Sequence, residues 1–237
     1  MLDILFENED FVVINKPAGV SVHGDGRNTE KTISDFFVEQ YNEAKDVGES
    51  IFSNDVEIKK GGIVHRLDKD TSGALVLVKN QDAYEFLKKQ FQDRKVKKIY
   101  LAIVSGFFKN ETGTVKESIG RSPNDFRKRL AGRGARGELR EAVTEYKVLK
   151  SFTDEKGEKY SIVEVNPKTG RMHQIRVHMK YISHPIVCDP LYNSNSPHPS
   201  NIQRLALHAL NISFLGIDGK EIKVEAPMPS EFKELLA

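Results

Sequence analysis

A single cysteine, Cys188, stands in 237 residues, so no internal disulfide can form and a reducing compartment is expected. No apolar run approaches membrane-spanning length. The amino terminus, Met1-Leu2-Asp3-Ile4-Leu5-Phe6-Glu7, is acidic and lacks the apolar core of a secretory signal. A cytoplasmic protein is expected. There is no Walker-type glycine loop, which argues against a nucleotide-hydrolysing engine. No His-Glu-x-x-His string occurs, and His173 and His178 are five apart rather than the four that puts two ligands on one helical face. No metal site is expected. Repeats, low-complexity tracts and linkers are also missing, so residues 1–237 are read as one domain.

Charge is ordinary in amount and unusual in placement. The formal net charge is +2, yet residues 88–98 carry six basic groups and one acid, and residues 121–140 carry seven basic groups and two acids. The rest of the chain is therefore net acidic. Two basic segments on an otherwise acidic chain suit a polyanionic partner.

The densest chemistry lies in His65-Arg66-Leu67-Asp68-Lys69-Asp70-Thr71-Ser72-Gly73, followed by the apolar run Ala74-Leu75-Val76-Leu77-Val78. The apolar run is short, rich in Val and Leu, and free of charge, which predicts a buried strand. A charged, hydroxyl-rich loop is thus pinned beside a core strand. On an extended stretch Arg66 and Asp68 point the same way while Leu67 turns inward as an anchor. Asp68 and Asp70 would sit too near and too alike for the separate duties of a two-carboxylate glycosidase.

Elsewhere the pattern alternates between strand and helix. Residues 4–6 and 11–14 read as a hairpin that Pro17 ends, with Lys16 in the following loop as a phosphate contact and the loop running on through His23, Gly24, Asp25 and Gly26. Thr32 and Asp35 form a capping box for a helix over 32–44. Residues 45–60 read as a polar surface excursion. Asn80 caps a second helix whose buried stripe is Ala83, Phe86, Leu87 and Phe91. Residues 99–104, 143–149, 161–165, 205–214 and 221–225 read as further strands, with a short helix from Ser230. Residues 118–140 show no hydrophobic period and four glycines, which predicts a long, flexible basic loop. Within it Phe126-Arg127-Lys128-Arg129-Leu130 mixes cations with apolar groups, suiting phosphate contact and insertion beside bases. In the stretch from Thr169 to His178 and beyond, Met172, Ile175, Met179 and Ile182 form a helical apolar stripe, beside a polar line of His173, Arg176 and Lys180.

His65-Arg66-Leu67-Asp68-x-x-Thr71-Ser72-Gly73 resembles the signature of the pseudouridine synthases, in the branch related to ribosomal large-subunit pseudouridine synthase A. Asn15-Lys16-Pro17-Ala18-Gly19, Lys97-Lys98-Ile99-Tyr100 and Gly170-Arg171-Met172-His173-Gln174-Ile175-Arg176-Val177-His178 are similar to other motifs of that family. The resemblance runs from about residue 4 to residue 230. It implies an α+β fold: a bent, mostly antiparallel mixed sheet with flanking helices and a central catalytic cleft. It implies Asp68 as the nucleophile, Tyr100 against the target base and Arg176 paired with the catalytic aspartate. Arg66 would fill the space left by the flipped uridine, and Arg127, Lys128, Arg129, Arg171 and His173 would contact RNA. Cys188 departs from the glycine more usual at its position, which bears on local backbone conformation. The small RNA-binding domain that often precedes this catalytic domain is expected to be absent.

The chemistry fits one ionised carboxylate. Breaking the glycosidic bond and rejoining uracil through carbon 5 involves no net redox change and no activated donor, so no cofactor is expected. The carboxylate attacks the ribose or stabilises the cation forming there; attack at uracil carbon 6 is the other course. The base must leave its helix to be reached. A structured rRNA or tRNA is the expected partner, met by a monomer. A binding-only RNA protein is the competing reading, and intact Asp68, Tyr100 and Arg176 favour the enzyme.

Overall fold

A computed structural model describes residues 1–24, 30–53, 56–59 and 61–236. The expected loop at Asp25 and Gly26 and part of the 45–60 excursion lie outside those residues. In chain order the elements are β1 (Ile4–Glu7), β2 (Phe11–Lys16), α1 (Ile33–Gln40), β3 (Ser50–Ser53), β4 (Val56–Lys59), β5 (Ser72–Val78) and α2 (Gln81–Gln92). Then come β6 (Lys97–Ser105), β7 (Thr112–Val115), β8 (Ile119–Arg121), β9 (Arg129–Ala131), β10 (Arg136–Arg140), β11 (Thr144–Thr153) and β12 (Lys159–Pro167). The chain closes with α3 (Gln174–Tyr181), β13 (Leu207–Leu215), β14 (Glu221–Glu225) and α4 (Ser230–Leu236). This is the expected α+β class with mostly antiparallel pairing. Among the described residues no helix is long and apolar enough to cross a membrane.

The chain forms two compact units, residues 1–98 with 209–227 and residues 99–208 with 228–237. In the first, β1 pairs with β2, β2 with β5 and β13 with β14, each antiparallel. All seven residues of β5 are buried, as its uncharged Val/Leu composition requires. Phe11, Val13, Val76, Val78 and Phe214 build a core with Ala83, Tyr84 and Leu87 of α2. The stripe on α2 differs from expectation: Phe86 is 37% exposed, and Tyr84 and Gln90 are buried instead. Gln90 earns its place by two hydrogen bonds with the Leu215 backbone, each 2.8 Å. The Thr32–Asp35 capping box is present, but α1 stops at Gln40 and continues as a 3-10 turn over residues 42–46.

In the second unit β6, β12, β11 and β7 form an antiparallel series. Residues 118–140 are not a flexible loop. They form a three-stranded antiparallel sheet ordered β10-β8-β9. Its anchor is small: Ile119 and Ala131, opposite each other in register, join Ala142, Val177 and Tyr192 in a buried cluster. Two apolar residues ten or more positions apart give no readable period, so the sheet was invisible in the sequence.

Gly73 ends the signature loop at φ +109, and a Cβ there would overlap the backbone of Ala209. Gly73→Ala is expected to destabilise the fold by about 3 kcal/mol or more, from backbone strain plus overpacking. Urea unfolding at neutral pH measures it; a loss under about 1 kcal/mol would show that the close approach relaxes.

Candidate active site

In the first unit the signature loop is held from three sides. Leu67 is 4% exposed and anchors it, as expected, while Arg66 is exposed and Asp68 half-buried. Thr71 closes the turn, its N–H donating to the Asp68 carbonyl at 3.1 Å. Lys16 supplies the second hold. Its side chain is fully buried, and its ammonium donates to the carbonyls of Pro17 (2.8 Å), Val20 (2.7 Å) and Lys69 (2.9 Å). Lys16 is therefore no phosphate contact. It is an internal clamp between the Asn-Lys-Pro loop and the residue next to Asp68, and three acceptors match the three donors of an ammonium. The Gly19 N–H adds a fourth strand to this clamp, also onto the Lys69 carbonyl.

His65 is the third hold. Its ring stacks on Phe91 with centroids 4.7 Å apart, and its Nε2 accepts from the Val76 N–H at 3.1 Å. That bond requires an unprotonated Nε2, so the proton sits on Nδ1. Burial lowers the pKa to about 3, with Lys98 pushing the same way. His65 thus ties the loop to β5 as a neutral ring and offers no acid chemistry. Arg66 lies with its Nη1 3.3 Å from Nε2 of His23.

In the second unit Tyr100 sits half-buried on β6, opposite Val165 of β12. Arg176 lies on α3, and α3 is not the amphipathic helix its sequence suggests. Residues 174–179 are all buried, whereas Met172, expected in the apolar stripe, is 47% exposed. The helix packs between strands, so its polar residues find partners inside. Arg176 Nε and Nη2 form a fork with the buried carboxylate of Asp189, both at 2.8 Å. Asp189 Oδ1 also accepts from the N–H groups of Leu191 (2.9 Å) and Tyr192 (3.0 Å). The Tyr192 ring lies 5.1 Å from the guanidinium carbon. The fork uses two of the guanidinium's five donors and fixes its plane.

Gln174 and His178 complete the interior. Gln174 accepts from the Thr169 hydroxyl (2.7 Å) and the Arg171 N–H (3.0 Å), and donates to the Val143 carbonyl and the Thr144 hydroxyl. His178 Nε2 is 2.9 Å from the Glu117 carbonyl and must donate to it, so Nδ1 accepts from the Thr144 hydroxyl at 2.8 Å. Burial holds the His178 pKa below the ordinary range.

The remaining expected RNA contacts divide sharply. Arg171 donates from Nε to the Glu141 carbonyl, and His173, at φ +57, places Nδ1 2.9 Å from the Tyr192 hydroxyl. That hydroxyl also accepts from the Arg129 N–H at 2.9 Å, joining α3 to the small sheet. Arg127 is forked onto Asp125 at 3.0 and 2.9 Å, and Lys128 lies 4.0 Å from the same carboxylate. The residues missed from sequence are Asp189, Tyr192 and Gln174; only the similarity of the segments around them could have raised them. Cys188 adopts φ +54, the left-handed conformation for which a glycine is suited.

These loops belong to a known class. The model of the RNA pseudouridylate synthase family matches residues 10–181, and the chain belongs to that family of uridine isomerases. An uncharacterized RNA pseudouridine synthase of Synechocystis is 37% identical across 99% of this chain and 68% of its own length. Ribosomal large subunit pseudouridine synthase D of Neisseria meningitidis serogroup B is 36% identical across 100% of this chain and 60% of its own. The structure of human RNA pseudouridylate synthase domain containing 1 is 27% identical with a TM-score of 0.75, covering 97% of this chain and 84% of that one.

Two measurements test the supports of the site. Lys16→Met leaves the Pro17 and Val20 carbonyls without their donor, the Lys69 carbonyl keeping the Gly19 N–H, and is expected to cost about 2 kcal/mol or more in urea unfolding. Retained stability would show that water replaces the ammonium.

The second concerns pH. His65 stays neutral when folded, burial disfavours the charged form of His178, and both take up protons when unfolded below a pKa of about 6.5. The unfolded state then binds more protons, so their contribution is full above about pH 6.5 and is lost as pH falls. At pH 5 His65 alone should remove about 2 kcal/mol, and His65→Gln should show a correspondingly smaller drop between pH 7.5 and 5. Equal drops in both proteins would refute the neutral ring.

Proposed function

We propose that this synthase isomerises specific uridines in structured RNA with Asp68 as its nucleophile. The observation that carries the reading is the intact signature around Asp68 inside the family-matched region, held by a buried ammonium and a neutral histidine. The carboxylate attacks carbon 1′ of the ribose as the bond to N1 breaks, and that electron pair stays on the uracil. The uracil turns, carbon 5 bonds to carbon 1′ as the carboxylate departs, and the proton of carbon 5 is replaced by one on N1. Atoms and electrons balance within the nucleotide.

Tyr100 stacks on the uracil and relays a proton. Arg176 is the guanidinium of the motif at residues 170–178, and the Asp189 carboxylate fixes its plane. Arg66 takes the place of the flipped base. Ribosomal RNA is the favoured target, because several relatives are named for the large ribosomal subunit; a transfer RNA stem-loop is the alternative.

Pseudouridine mapping of total cellular RNA tests both parts. Cells with the intact protein, without it, and with Asp68→Ala are compared. Sites missing from the last two cell lines alike identify the target and support the nucleophile. Sites that persist with Asp68→Ala but vanish on deletion would remove Asp68 from the chemistry.

A further inference from the structure

The small sheet of the second unit carries an arrangement that the basic composition of residues 121–140 does not reveal. Arg121 on β8 stands directly opposite Arg136 on β10 and directly opposite Arg129 on β9. Directly opposed residues project from the same face of a sheet, so three arginines form one rank across its three strands. Neighbouring strands are about 4.8 Å apart, which makes the rank about 10 Å long. Like charges directly opposed across strands are destabilising unless something else neutralises them.

Nothing on the protein does so among the described residues. The two acids of the segment are already taken: Asp125 by Arg127 and Glu138 by Arg140. Arg121 and Arg136 are exposed and carry no carboxylate partner. Arg129 is held in place by its own backbone, Nη1 donating to the carbonyls of Phe126 (3.1 Å) and Lys128 (3.0 Å), which leaves its charge uncompensated. The rank continues the face on which Ile119 and Ala131 pack towards Val177 of α3, and the Arg129 N–H is bonded to Tyr192. It therefore lies beside the start of α3. The turn that joins β8 to β9 presents Phe126, 81% exposed, as an aromatic face for a base.

We infer that Arg136, Arg121 and Arg129 form a seat for successive phosphates of one RNA strand, with Phe126 meeting a base at its end. The inference rests on the reading of this chain as an RNA enzyme. It moves the main electrostatic contact away from Arg127, whose charge Asp125 offsets, to a cross-strand rank.

The test uses the full chain and a fluorescein-labelled RNA hairpin, with the dissociation constant followed from about 50 to about 200 mM salt. Each phosphate contact contributes about 0.7 to 0.9 to the logarithmic salt slope, so an Arg121→Gln/Arg136→Gln double variant should lose about 1.4 to 1.8. Arg127→Gln should lose less than about 0.5. The melting temperature of the double variant should stay level or rise, since repulsion is removed. An unchanged slope in the double variant, an equal loss in Arg127→Gln, or a fall in melting temperature overturns the seat. The mapping experiment judges the enzyme separately. A lost slope with no pseudouridine formed keeps the seat and removes the reaction; an unchanged slope with normal mapping does the reverse.

Discussion

A buried ammonium sets the conditions for the loop that carries Asp68. Taking a lysine out of water is costly unless every donor finds an acceptor, and Lys16 achieves this with three backbone carbonyls. Those carbonyls come from two loops, about 50 residues apart in sequence, neither of which is helix or strand. The cation therefore substitutes for secondary structure. A carboxylate intended for attack on a sugar has to be held at the right distance without being neutralised. Fixing the backbone at the neighbouring residue contributes to this by holding the loop in place.

The second unit solves a related problem with a helix. A one-sided helix could present an arginine only at a surface, where water screens it and its rotamers are many. Burying α3 on all sides obliges each polar residue to have a named partner: Asp189 for Arg176, Thr169 and Thr144 for Gln174, Thr144 and the Glu117 carbonyl for His178. Partly satisfied networks of this kind are worse than apolar packing, so the motif holds together or fails as a whole.

How much could be read beforehand varied with the type of signal. The hairpin, β5, the Thr32–Asp35 cap and the Asn80 cap were legible, because alternation and capping are local rules. The inward turn of Leu67 between Arg66 and Asp68 followed from strand periodicity alone. What escaped was tertiary. Lys16 looks like any loop lysine until three carbonyls surround it. Tyr84 displaced Phe86 in the core because the partner surface, not helix periodicity, decides which of two neighbouring aromatics is covered. Residues 118–140 concealed a sheet because its strands are three to five residues long and bury only Ile119 and Ala131 deeply. Family resemblance supplied Asp68, Tyr100 and Arg176, while Asp189 and Tyr192 lie in a segment that resembles the family but were given no role from it.

The fork between Arg176 and Asp189 also bears on how such a chain can change. Replacing either partner alone strands an ion in the interior, and a lysine cannot reproduce two parallel bonds to one carboxylate. Any path from this pair to a different one must cross an intermediate that folds poorly, or change both codons together. The pair is thus frozen by a valley in the fitness landscape, and would persist in descendants even where the demand for uridine isomerisation had been relaxed.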